Sequence, residues 1–78
     1  MKTFTIDCFQ SALEYFQYIR AYRHQFPEAW EEMKPDVESF RDEYGRDMNG
    51  WDMDTRARFT DSMVHNAARW YIAAEEIA

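Results

Sequence analysis

A single apolar stripe through the middle of the chain limits the fold more than any other feature. Between Phe26 and Tyr44, apolar residues recur at spacings of 4, 3, 4, 3 and 4. The members of this stripe are Phe26, Trp30, Met33, Val37, Phe40 and Tyr44. On an α-helix such a repeat aligns the side chains within an arc of about 80°. The pattern therefore predicts a helix over residues 27–44 that is buried along one side.

Pro35 lies inside this predicted helix, where a proline removes the backbone hydrogen bond to the carbonyl of Glu31. On a helical wheel Pro35 points away from the apolar stripe, so water can satisfy that carbonyl. Two alternatives stay open, a helix kinked at Pro35 or two shorter helices that meet there. Gly45 is a natural stop for this segment.

Two further helices are predicted, one on each side of the middle segment. The first covers residues 8–25, with Asp7 as its N-cap, and the third covers residues 54–76, capped by Asp52, Asp54 or Thr55. Their apolar positions recur at helical spacing. The expected core is Phe16, Ile19, Trp30, Met33, Val37, Phe40, Phe59, Met63 and Trp70. We therefore expect an all-α, small three-helix bundle that forms one domain over residues 1–78, with a short extended arm at residues 3–6.

Composition excludes several classes of protein. A hydrophobic content of 46% with 18% aromatic residues is too high for a disordered chain. The single cysteine, Cys8, excludes a disulfide framework and a multi-cysteine zinc site, and we expect it to be buried. No apolar run approaches the roughly 20 residues of a membrane span, and the N-terminus lacks a signal-peptide core. These features predict a soluble, cytoplasmic protein without membrane contact.

The net charge of −6 argues against direct binding to nucleic acid, which requires clustered Lys and Arg. The excess is confined to residues 27–54, which hold ten acidic and three basic residues. Seven of these carboxylates fall opposite the apolar stripe: Glu28, Glu31, Glu32, Asp36, Glu38, Asp42 and Glu43. They span about 22 Å of helix, or one charge per roughly 3 Å. Duplex DNA carries one per about 1.7 Å, so this side is either a solvated face or a surface that mimics nucleic acid.

Aromatic residues supply a second candidate surface. Tyr15, Tyr18 and Tyr22 lie beside the apolar side of the first helix, and Trp51 lies in the predicted loop at residues 46–51. Tyrosine and tryptophan suit interfaces because they bury a large area and keep a polar group. We expect these four residues to be exposed partner contacts; the alternative is that the tyrosines rim the core with their hydroxyls in water.

No catalytic, metal or cofactor site is predicted. Asp61, Ser62 and His65 share one side of the third helix, but nothing there supplies an oxyanion hole or excludes water. The acidic residues around Gly50 do not have EF-hand spacing, because position six of such a loop is Asp52 and not glycine. We therefore expect no enzyme.

The residues together predict a small, acidic, non-catalytic protein that binds another protein. In its concrete form, it inhibits a nucleic-acid-handling complex by presenting carboxylates in place of phosphates to a basic surface. Phage and mobile-element inhibitors of the anti-restriction or anti-CRISPR type often have this size and charge. The alternative is a structural or regulatory homodimer that associates through the aromatic side of the first helix.

Overall fold

A computed structural model describes residues 5–70, which form three α-helices and one turn of 3-10 helix. The helices are α1 (Phe9–Ala21), α2 (Pro27–Tyr44) and α3 (Met53–Trp70), and the 3-10 turn is Met48–Gly50. No strand occurs between residues 5 and 70. The predicted all-α three-helix bundle is confirmed. Most of the predicted N-terminal arm, and the part of the third helix predicted beyond Trp70, lie outside the described residues.

The first helix is shorter than predicted at both ends. Its N-cap is Cys8, not Asp7, and the hydroxyl of Ser11 accepts hydrogen bonds from the backbone N–H groups of Asp7 (3.0 Å) and Cys8 (3.1 Å). Cys8 is exposed, which corrects its expected burial, because it precedes the helix in extended conformation. The helix ends at Ala21, because Tyr22 leaves helical geometry (φ −111°, ψ 33°) and residues 22–25 form turns that lead to Phe26 and Pro27.

The second helix has the predicted bounds and is not split at Pro35. Pro35 is exposed on its outer side, where solvent can reach the carbonyl that the proline leaves without a partner. The helix ends at Tyr44, and its C-cap Gly45 adopts a positive φ of 106° that an L side chain would disfavour. One long helix therefore carries the acidic segment.

The third helix begins at Met53, where Asp52 supplies the cap. The carboxylate of Asp52 accepts a hydrogen bond from the backbone N–H of Thr55 at 2.8 Å, and this bond lowers the pKa of Asp52. α3 packs along both other helices, whereas α1 and α2 meet over only a short stretch. A groove between α1 and α2 is the consequence of that unequal packing.

The core is an aromatic cluster around Phe59, which is fully buried. Six of the nine predicted core residues are buried: Phe16, Ile19, Met33, Val37, Phe59 and Met63. Trp30, Phe40 and Trp70 are half-buried and pack against its edge. Trp51, expected to be exposed, is also in the core, because its indole Nε1 donates to the carbonyl of Gly45 at 2.8 Å.

Candidate protein-binding surface

Six of the seven predicted carboxylates lie exposed along the outer side of α2. We call this set the acidic face: Glu28, Glu31, Asp36, Glu38, Asp42 and Glu43. The acidic face lies on the side of α2 opposite its buried residues Ala29, Met33 and Val37, which are spaced four residues apart. The carboxylates consequently project away from the core.

The acidic face has few positive counterparts. Within residues 5–70, only Asp42 among its members forms an ion pair, with Arg46 at 3.9 Å. Both of these side chains are about three-quarters exposed, so the pair contributes little to stability. The other five carboxylates have no basic group within ion-pairing distance in the described chain. Five members of the acidic face therefore form no ion pair within the described residues, although Glu38 also lines the groove beside Lys34 and Arg41.

Glu32, the seventh carboxylate, has an internal role. It is half-buried, and its carboxylate accepts hydrogen bonds from Trp70 Nε1 at 2.7 Å and Asn66 Nδ2 at 3.2 Å. Its second oxygen lies 3.4 Å from Arg69 Nη1. Because these contacts fasten α2 to α3, we leave Glu32 out of the partner-binding surface.

Tyr15 is fully buried, so the prediction that it is exposed is wrong. Its hydroxyl donates a hydrogen bond to Oδ1 of Asn66, which is itself buried on α3. The Asn66 amide also donates to the carbonyl of Ala29 on α2 at 3.1 Å. Asn66 thus connects all three helices, and its place between Met63 and Trp70 on the apolar side of α3 was the signal that sequence reasoning missed.

The remaining tyrosines form only a small exposed patch. Tyr18 is half-buried and packs against Tyr22, with ring centroids 4.7 Å apart, and against Phe26 at 5.9 Å. Tyr22 is 46% exposed. With Tyr15 and Trp51 in the core, the predicted aromatic surface is reduced to the region where α1 ends.

Burial of Tyr15 predicts a loss of stability in alkaline solution. Desolvation raises the pKa of Tyr15 far above its usual value, and the negative charge of Glu32 adds to this effect. The folded state therefore holds the phenolic proton more tightly than the unfolded state, in which tyrosine has a pKa of about 10. This contribution to stability is complete below about pH 10 and declines as the pH rises further.

Urea unfolding of the wild type and of Tyr15→Phe across this alkaline range measures the effect. We expect a smaller decline in the free energy of unfolding for Tyr15→Phe, whereas Tyr22→Phe should decline like the wild type because Tyr22 is exposed. Equal declines for all three proteins would contradict the assignment.

No group of three or more His, Cys, Asp or Glu residues in the described chain could hold a metal ion, and no helix there is long and apolar enough to cross a membrane. Asp61 and His65 are exposed on α3, with Ser62 half-buried between them. Comparison of the chain with protein-family models, with curated proteins and with solved structures found no match.

Proposed function

We propose that this protein binds another protein through the acidic face of α2 and competes there with nucleic acid for a basic surface. The observation that supports this proposal is the set of five exposed carboxylates that have no basic partner in the described chain. The acidic face extends over about 22 Å from Glu28 to Glu43, long enough to replace several phosphates along a binding groove.

Repulsion between like charges on neighbouring turns of this face lowers the stability of the free protein. Glu28 and Glu31 are three residues apart, and Glu38 and Asp42 are four apart, so each pair shares one side of the helix. Such pairs destabilise a helix by about 0.2–0.5 kcal/mol each. A basic partner relieves this repulsion, and the uncompensated field accelerates its approach.

A charge-reversed variant with a matched control tests the proposal. Glu28→Lys combined with Glu31→Lys changes the acidic face, whereas Glu14→Lys combined with Asp61→Lys makes the same change in net charge on α1 and α3. All four residues are exposed and form no ion pair within the described residues. Circular dichroism of both variants verifies that the fold is retained.

Each protein is immobilised and exposed to lysate from its natural host, and duplex DNA is then added. We expect the wild type and the control to retain proteins that DNA or high salt releases, and the Glu28/Glu31 variant to retain at least about tenfold less of them. If DNA released nothing, or if both variants bound alike, competition with nucleic acid would be wrong. Loss of binding in Tyr22→Ala alone would favour the aromatic homodimer or another tyrosine-mediated contact.

Restriction and CRISPR complexes are the first partners to examine, because small acidic proteins are a common form of inhibitor against them. Expression of the protein in cells with an active complex should raise the transformation efficiency of a targeted plasmid. The Glu28/Glu31 variant should lose this protection, and the Glu14/Asp61 control should keep it. If both variants protected the plasmid equally, the acidic face would not be responsible for the activity.

A further inference from the structure

A basic groove lies between α1 and α2, in a protein whose net charge is −6. Its volume is about 440 Å³, within the range of small-molecule sites. Four basic side chains line it together with one acidic one, Glu38, and an apolar floor. The basic residues are Arg20, Arg23, Lys34 and Arg41.

The basic side chains of this groove are not neutralised by the rest of the described chain. The chain has 15 acidic residues, yet none of those between residues 5 and 70 lies within ion-pairing distance of the four. Nε of Arg41 is also buried without a hydrogen-bond partner. Because this atom is buried, it faces the protein, and it is the positive charge of the four side chains that suits the groove to an anionic ligand.

The floor of the groove is aromatic. Phe16 and Trp30 stack with their ring centroids 6.5 Å apart and their planes at 26°. The guanidinium carbon of Arg20 lies 5.9 Å from the centre of the Phe16 ring. Phe16 is buried, so the accessible aromatic surface beside the guanidinium groups is that of half-buried Trp30, which suits a ligand that has a planar ring system and an anionic group.

We infer that this groove binds a small phosphate ester of a planar aromatic body, of which a nucleoside monophosphate is the simplest example. Arginine guanidinium groups bind phosphate oxygens through paired, charge-assisted hydrogen bonds. A long nucleic acid strand is disfavoured, because Glu38 lines the groove and Asp42 lies one helical turn further along α2. The site shares Glu38 with the acidic face but differs from it in net charge and in ligand, and it does not depend on the proposed protein partner.

Calorimetric titration with AMP, adenosine and inorganic phosphate at low ionic strength tests the inference. We expect AMP to bind more tightly than adenosine or inorganic phosphate, and amide shifts in an NMR titration to concentrate on residues 16–41. Arg41→Gln and Arg20→Gln should each weaken AMP binding at least about tenfold, the usual weight of a charge-assisted hydrogen bond. Arg58→Gln is the matched control, because Arg58 pairs with Asp54 on α3 outside the groove.

Several results would overturn the inference. The first is that AMP does not bind at millimolar concentration. The second is that adenosine or inorganic phosphate binds as tightly as AMP, and the third is that a short single-stranded oligonucleotide binds more tightly than AMP. Arg41→Lys separates charge from the guanidinium group, because it keeps the charge and removes the paired donors. The Glu28/Glu31 variant should bind AMP as tightly as the wild type or more so, so failure of the acidic-face proposal and failure of this inference are distinguishable.

Discussion

Replacement of Phe59 by alanine is expected to lower the free energy of unfolding by about 3–5 kcal/mol. Phe59 is fully buried, and four aromatic rings surround it at centroid distances of 5.6–6.2 Å. These rings belong to Phe9, Phe16, Phe40 and Trp51. They come from α1, α2 and the segment before α3, so no single small movement can fill the space that the phenyl ring leaves.

A domain of this length has a total stability of about 4–12 kcal/mol, so Phe59→Ala should lose at least about a quarter of it. Urea unfolding followed by circular dichroism measures the loss. Phe26→Ala is the matched control, because Phe26 is only half-buried at the edge of the core. We expect the control to lose less than half as much stability, and equal losses would show that Phe59 is not the centre of the packing.

Asn66→Ala is expected to lower the free energy of unfolding by about 2–4 kcal/mol, although it removes only one small polar side chain. The Asn66 amide group accepts from the Tyr15 hydroxyl and donates to the carbonyl of Ala29 and to the carboxylate of Glu32. Without the Asn66 side chain, the buried Tyr15 hydroxyl loses the hydrogen-bond acceptor that α3 supplies. The Glu32 carboxylate loses one of its hydrogen-bond donors. The cost is high because buried polar groups regain no water in exchange.

A double-mutant cycle with Tyr15→Phe isolates this connection. Tyr15→Phe removes the hydroxyl that donates to Asn66. The double variant should therefore lose about 0.5–3 kcal/mol less stability than the two single losses add up to. Asn49→Ala is the control for the chemical change, since Asn49 is exposed in the 3-10 turn. Additive losses at positions 15 and 66 would mean that the hydrogen bond does not couple α1 to α3.

Local sequence patterns were sufficient for the fold class and for the bounds of α2. The apolar spacing from Phe26 to Tyr44 and the stop at Gly45 act within one helix, and Pro35 on its outer side does not interrupt it. The same wheel gave the position of the acidic face, because residues opposite the buried Met33 and Val37 must point outward. None of these features needs knowledge of the other helices.

Tertiary structure alone decided which borderline side chains are buried. A wheel shows that Tyr15 lies at the edge of an apolar arc, but only the approach of α3, with Asn66 as acceptor, takes its hydroxyl out of water. Trp51 belongs to no helix, and it is buried because the loop folds back so that its indole reaches the carbonyl of Gly45. Hydrogen-bond partners distant in sequence determine both outcomes, and no local period encodes them.

The sequence determines the charges that line the basic groove, whereas the tertiary structure brings them together. Arg20 lies on α1 and Arg23 in the turn that follows it, whereas Lys34 and Arg41 lie among the acidic residues of α2. Each pair by itself is an ordinary set of surface charges. The groove exists because α3 packs against both helices while α1 and α2 meet over only a short stretch, and the two pairs line it together with Phe16 and Trp30. The sequence determined the helices and the charge that each one presents, whereas the packing of the helices against one another, set by contacts distant along the chain, decided which charges meet.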